Sequence, residues 1–295
     1  MKLNADCILC LLKRHIATAQ TVGTEEQVTE FARDLMGLLS GGPESVSAPW
    51  YTPEITRLFT RHFGLADDRY AEEKEASNRF FLERAERIRA MVTEAEDPLY
   101  AGLQCAILGN YIDFSALQGE VSFEKLDQML ALAREFQVDG AVFAQLRADL
   151  ERGRELLYLT DNAGEIGFDR IFLETIHGLY PGLNITVCVR GGPTQNDATI
   201  EDAAAVGMPF PVIGNGTRIP GTVLELASPE LREALDRSDV VIAKGQANVE
   251  TLLDTDHGYN IYYAFLVKCI RFIQRFNKPK LTPMLVKEAP AASGR

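Results

Sequence analysis

From residue 155 onward, short apolar runs alternate with helix-forming stretches, and this alternation constrains the fold more than any other feature of the chain. The runs are Glu155–Thr160, Ile185–Val189, Pro211–Ile213 and Val240–Ala243. Runs of this length, apolar throughout and ended by polar or glycine-rich residues, read as strands buried on both faces. Helical stretches at about 166–177, 200–206 and 228–237 separate them, the last with Pro229 at its first position. Strand–helix–strand alternation of this kind implies a mostly parallel sheet with helices on both faces, a three-layer α/β/α arrangement. Tyr262–Val267 predicts one more strand, and the tail from Lys278 predicts a frayed end.

The first 150 residues read as helical throughout. Asp6 to Gln20 has helical apolar spacing, and Thr24 with Gln27 forms a capping box for a helix to about Leu39. Thr52-Pro53 starts a helix that Gly64 closes. Tyr70 to about Ala95 reads as one long charged helix, followed by helices from Pro98 to Gly109, Ser122 to Phe136 and Gly140 to Glu151. With 295 residues, the chain has the length of about two domains. The expected division is an all-helical domain over 1–150 and an α/β domain over 151–295.

Lys and Arg number 30 against 42 Asp and Glu, a net charge of −12. That argues against a protein that coats nucleic acid or an anionic membrane, since phosphate backbones need a positive face. No apolar run has membrane-spanning length, and the N-terminus lacks a small-residue cleavage site, so the expected location is the cytoplasm. The five cysteines are scattered and odd in number, a poor disulfide framework. Cys7 and Cys10 form a lone C-x-x-C, at most half a zinc site, and read as two small buried residues one helical turn apart. His15, His62, His177 and His257 lack partners at ligand spacing and read as structural or exposed.

In an open parallel sheet, ligands bind beyond the carboxyl ends of the strands. The residues there are Asp161-Asn162-Ala163-Gly164-Glu165, then 190–199, then Gly214-Asn215-Gly216, then Lys244-Gly245-Gln246-Ala247-Asn248. Asp161 and Asp197 would project into one crevice, where two carboxylates repel unless a cation or proton lies between them. With the Asn162 amide oxygen they form a hard donor set suited to Mg²⁺ or Mn²⁺. The alternative is that each Asp caps the helix that follows it. Lys244 and the backbone near Gly245 could hold a phosphate, although the P-loop spacing is absent. Gly214-Asn215-Gly216 reads as a plain turn.

Three blocks, DNAGEIGFD at 161–169, RGGPTQNDAT at 190–199 and KGQANVETL at 244–252, resemble the signature blocks of the DUF89 family, which includes metal-dependent damage-control phosphatases. CILC at the N-terminus, Lys74 with Asn78, GNYIDF at 109–114 and VKC at 267–269 extend the resemblance over nearly the whole chain, and the C-x-x-C start resembles the family's prokaryotic branch. The resemblance implies a phosphatase acting on a small phosphorylated metabolite, such as a sugar phosphate or nucleotide-type monoester. It implies metal ligands at Asp161, Asn162 and Asp197, with Co²⁺ or Ni²⁺ as alternatives to Mg²⁺ and Mn²⁺. It places Lys244, Gly245 and Asn248, with Glu165, at the substrate's phosphate, and Lys244 with Asp161 and Asp197 in catalysis. Asn110 and Asp113 would belong to a loop from the helical domain that closes over the site. Gly167, where a branched apolar residue is usual, is one of several small departures, and none removes a ligand.

Two other readings compete. A strand followed by DNAGE is superficially like the nucleoside-binding turn of an S-adenosylmethionine-dependent methyltransferase, but it lacks the glycine-rich loop and the ribose-binding acid. A non-catalytic metabolite-binding module would share the fold without turnover.

Overall fold

The computed structural model describes residues 1–66, 68–117 and 121–288. Helices come first: α1 (Ala5–Gln20), α2 (Glu25–Gly41), α3 (Thr52–Phe63), α4 (Ala71–Leu82), α5 (Ala85–Thr93), α6 (Pro98–Gly109), α7 (Phe114–Leu117), α8 (Phe123–Ala131) and α9 (Gly140–Arg152). Alternation follows: β1 (Glu155–Leu159), α10 (Glu165–Leu179), β2 (Asn184–Val189), α11 (Ile200–Ala205), β3 (Val212–Gly214), α12 (Pro229–Arg237), β4 (Val240–Lys244), α13 (Gly245–Leu252), β5 (Ile261–Leu266), α14 (Ile270–Phe276) and β6 (Pro283–Lys287).

The sheet has the order β3-β2-β1-β4-β5-β6. All pairings are parallel except β5 with β6. The chain runs outward from β1 through β2 to β3, then returns to place β4 on the other side of β1. That reversal makes a topological switch point, and the crevice opens at the carboxyl ends of β1 and β4.

Side chains alternate across each strand. Leu156 and Tyr158 of β1 enter one apolar cluster, while Leu157 and Leu159 enter another on the opposite face. Burial on both faces explains why these strands lack polar alternation. The first cluster runs from Phe80 through Leu103 and Leu150 to Phe168 and Tyr262, so α4–α6 and α8–α9 share one core with the sheet. A separate cluster gathers Leu11, Phe31, Leu35, Ile55 and Phe59 of α1–α3. α6 is apolar all round and buried from Leu103 to Gly109, as a helix without a polar face must be. The Phe168 ring of α10 packs against Gly109, where a Cβ would sit 3.0 Å away.

The structure departs from the sequence reading in several places, among them α7, which that reading lacks, and α8, which ends at Ala131 rather than Phe136. The single helix expected over Tyr70–Ala95 is two, interrupted at Glu83-Arg84. Arg84 turns out to bond Asp127 through Nε at 3.0 Å and lies over the Phe80 ring. The tail expected to fray instead supplies β6, whose Leu285 is buried against Ala264. Residues 289–295 of that tail lie outside the described residues. α13 and α14, unmarked in the sequence reading, cover the second face of the sheet. Among the described residues, no helix is long and apolar enough to cross a membrane.

Candidate functional site

A cleft of about 250 Å³ opens at the switch point. Asp161, Asn162, Asp197, Asp113, Lys268 and Gln246 form its polar side. Asp161 and Asn162 leave the end of β1, and Asp197 leaves the loop after β2. Backbone pairing holds the two loops together. Asn162 and Asp197 form an antiparallel bridge, and the Ala198 N–H donates to the Asp161 carbonyl at 2.8 Å.

Neither aspartate caps a helix. The N-cap of α10 is Gly164, at φ +75°, and the N-cap of α11 is Thr199, which forms a capping box with Asp202. Both carboxylates are instead gathered by one guanidinium. Arg190 Nε donates to Asp197 at 2.6 Å, and its Nη2 lies 3.5 Å from Asp161. Arg190 is 1% exposed, so this pairing occurs out of water.

The charge balance there is strained. Burial, then the Glu165 and Asp197 carboxylates, push the Asp161 pKa well above the usual range. Burial also raises Asp197 to about 6, against the pull of Arg190. Two buried carboxylates with one partly shared cation between them leave negative charge that a further cation would neutralise. The donors are oxygens, with no imidazole among them, which suits a hard divalent ion. Among the described residues, no three His, Cys, Asp or Glu side chains are grouped to hold a metal. The candidate set is therefore two carboxylates completed by Asn162. The Asn162 nitrogen donates to Asp161 at 2.9 Å and Glu165 at 2.8 Å, which turns its carbonyl oxygen away from both. The residues present fit a divalent ion.

Gly245 makes room for this arrangement. It sits at φ +76°, and a Cβ there would lie 1.8 Å from Asp161 Oδ2. Any side chain at 245 would displace the carboxylate.

Several expected site residues stand beneath the cleft rather than on it. Lys244 is wholly buried, and its ammonium donates to Glu165 at 2.8 Å, Asp169 at 2.6 Å and the Ala106 carbonyl at 2.8 Å. Those acceptors take all three of its protons, so it does not present a charge to a phosphate in the cleft. Burial alone would lower the Lys244 pKa, but Asp169 and Glu165 outweigh it and hold it at about 12. Glu165 is equally buried and accepts from Asn110, Asn162 and Lys244. Asn248 bridges Thr160, Lys244 and Thr222, a structural tie between β1, β4 and the loop before α12. Asn110 does not close over the site. It ends α6 inside the core, donates to Asp161 and Glu165 at 2.9 Å, and accepts from Leu266 N–H at 3.1 Å. Asp113 does line the cleft, paired with Lys268 at 2.7 Å.

Other residues were given no role in the sequence reading. Arg190 was quoted within its block without one; its signal is its position directly after an apolar buried strand. Lys268, just after β5, borders the cleft with its side chain buried beneath the surface and paired with Asp113. Asn78 links α4 to both loops: its amide donates to Asp202 at 2.9 Å and its oxygen accepts from Gly164 N–H at 2.7 Å, while Lys74 pairs with Asp202 at 2.8 Å. Asn215 is more than a turn residue, since its side chain accepts from Gly191 and Thr217 N–H and donates to Gly221. Cys7 and Cys10 are not buried in the apolar face of α1. They line the cleft, and Arg271 Nη1 donates to Cys7 Sγ at 3.3 Å. His15, by contrast, is buried against Phe59 as a core residue, and burial lowers its pKa.

The chain is similar to known proteins over nearly its whole length. The model of the damage-control phosphatase ARMT1-like domain matches residues 3–280. The chain is 30% identical over 285 residues to damage-control phosphatase PH1575 of Pyrococcus horikoshii, covering 95% of this chain and 96% of that one. It is 30% identical over 265 residues to a damage-control phosphatase of Archaeoglobus fulgidus, covering 86% and 88%. The crystal structure of PH1575, a DUF89 family protein, aligns with a TM-score of 0.82 and 26% identity over 98% of this chain and 100% of that one. On the span of the family match and the full-length likeness to these relatives, the chain belongs to the damage-control phosphatase ARMT1-like (DUF89) family.

Proposed function

We propose that the protein is a divalent-metal-dependent phosphatase that hydrolyses small phosphorylated metabolites, of the sugar-phosphate or nucleotide-type monoester class. The observation that carries this reading is the pair Asp161 and Asp197, brought from two strand ends to one buried point beside a small cleft. The names of the relatives support phosphatase chemistry.

Asp161, Asn162 and Asp197 would hold the ion, with Mg²⁺ or Mn²⁺ favoured by the hard oxygen donors and Co²⁺ or Ni²⁺ as alternatives. A divalent ion there supplies charge neutralisation for the phosphoryl group and lowers the pKa of water bound to it. The chain's own residues do the positioning. Arg190 fixes the two carboxylates. Lys268, its side chain fully buried and held by Asp113, adds positive charge behind the cleft wall. The cleft's volume suits a small ester and excludes a duplex or a folded protein chain. The end of β2, where a methyltransferase would need a ribose-binding acid, carries Arg190 committed to Asp197.

The test is release of phosphate from p-nitrophenyl phosphate and a panel of sugar and nucleotide monophosphates, with Mg²⁺, Mn²⁺, Co²⁺ or Ni²⁺ and with a chelator. Turnover that needs the metal and vanishes in Asp197→Ala supports the reading. Equal rates in the chelator, or no turnover of any ester with any of the four metals, would reject it.

A further inference from the structure

A second cleft, of about 360 Å³, borders the other loops at this end of the sheet. Asp68, Lys74, Arg190, Gly192 and Arg218 line it. Arg190 thus reaches two places at once. Its Nε and Nη2 hold the carboxylates of the first cleft, while its side chain also lines the second.

Two side chains that line this cleft each carry a buried polar atom without a protein partner. Arg190 Nη1 is buried and finds no acceptor, although the residue is 1% exposed. Asp68 Oδ1 is buried and finds no donor. Buried polar groups are normally bonded, so an unmet donor and an unmet acceptor on one cleft point to something that supplies both. Arg218 lies close against the loop, where a Cβ on Gly192 would stand 3.0 Å from its Nε. Lys74 adds charge, though Asp202 answers it at 2.8 Å, and the Glu201 carboxylate also borders the cleft.

We propose that this second cleft binds a hydrogen phosphate ion, accepting from Arg190 and donating to Asp68, at a place separate from the reacting ester. The chemistry selects among oxyanions. Sulfate and carboxylates carry no proton at neutral pH and can only accept. Hydrogen phosphate keeps one O–H, so it alone of these both accepts from a guanidinium and donates to a carboxylate. A carboxylate in an anion site, unfavourable toward sulfate, becomes the element that distinguishes phosphate from it. The ion so bound has the chemistry of the product released by the proposed reaction, yet the site stands on its own geometry whether or not an ester is turned over.

Calorimetry on the full chain in Mg²⁺, with inorganic phosphate and with sulfate, tests this directly. Wild type should bind a phosphate that excess sulfate fails to displace. Arg218→Glu should lose that equivalent or weaken it about tenfold or more, the scale of one buried hydrogen bond. Asp68→Asn, whose amide can donate to either ion, should let sulfate compete. Arg218 and Asp68 are outside the ester-binding cleft, so p-nitrophenyl phosphate turnover in both variants reports that they fold. The proposal is overturned if Arg218→Glu binds phosphate with the same stoichiometry and affinity as wild type, or if sulfate displaces every phosphate from wild type.

Discussion

Asn110 and Asp161 are 51 residues apart in sequence, and the amide nitrogen of one donates to Oδ2 of the other at 2.9 Å. Through this bond the residue that caps the end of a helix in the first half of the chain fixes the first residue of the candidate metal site. The same amide holds Glu165, and its oxygen takes the N–H of Leu266 at the end of β5. Asn110→Ala takes one donor from each carboxylate, which keep Asn162 and, at Glu165, Lys244, and leaves the buried Leu266 N–H unmet, at about 1–3 kcal/mol for that group. A lower denaturant midpoint together with weakened ester hydrolysis is the expected outcome. Unchanged stability would show that these bonds do not bear on the fold.

Asp197→Asn removes one of two candidate carboxylate ligands and keeps the shape of the side chain. Loss of a ligand should weaken Mn²⁺ binding by at least the ten- to hundredfold or so seen for changes in supporting residues. Titration calorimetry with the metal alone measures this without any assumption about substrate.

Lys244→Met separates a role under the site from one within it. Removing a buried cation strands Glu165 and Asp169 without it, at about 3–5 kcal/mol. The variant should unfold at markedly lower denaturant. Adding Glu165→Gln and Asp169→Asn should recover part of the loss, since no buried charge then lacks a partner. A folded Lys244→Met protein with a raised KM as its sole defect would instead place this lysine at the substrate.

Proton binding gives a fourth check. Asp161 lies well above, and Asp197 at about 6 against, an ordinary 3.8. Between about pH 4 and 6 the metal-free folded chain therefore binds more protons than the unfolded chain, and its stability falls as pH rises. Metal binding should move the other way, because carboxylate ligands must be deprotonated. Denaturation of the metal-free protein and Mn²⁺ titration, both at a series of pH values, should show opposite slopes across this window.

Asn78→Ala should lower kcat more than it raises KM, since this amide touches the Gly164 turn and Asp202 rather than the cleft. Asn78→Asp keeps an acceptor for Gly164 but sets a carboxylate against Asp202, and should be worse than alanine. Steady-state kinetics on both variants decides the order.

What the sequence made legible follows its physics. β1, β2, β4 and β5 are buried on both faces, so each is a continuous apolar run, and topology alone points to the loops after β1, β2 and β4, though not to Lys268 after β5. β6 is an edge strand with one half-buried face, and Pro283 hid it. The burial of Lys244 was also readable in principle. Glu165 and Asp169 stand one turn apart on α10 among Ile166, Phe168, Ile171 and Phe172, and two acids on an apolar helix face call for a buried cation. Gly167, which departs from the family pattern, lies under Phe81, whose ring would stand 2.2 Å from a Cβ there. That exchange between residues 86 positions apart is invisible until the chain is folded. The cleft-facing position of Cys7 and Cys10 depends on how α1 meets α14, which no local pattern encodes.

One core spans α4–α6 and the sheet, and Asn110 sits at its seam. If α6 lifts from α10, Asp161 loses the Asn110 amide before any strand separates. Catalysis then becomes a sensor of that seam, failing at a temperature where circular dichroism of the sheet still looks native. A protein cut between residues 150 and 151 would keep every proposed metal ligand and yet leave a broad greasy wall bare to water.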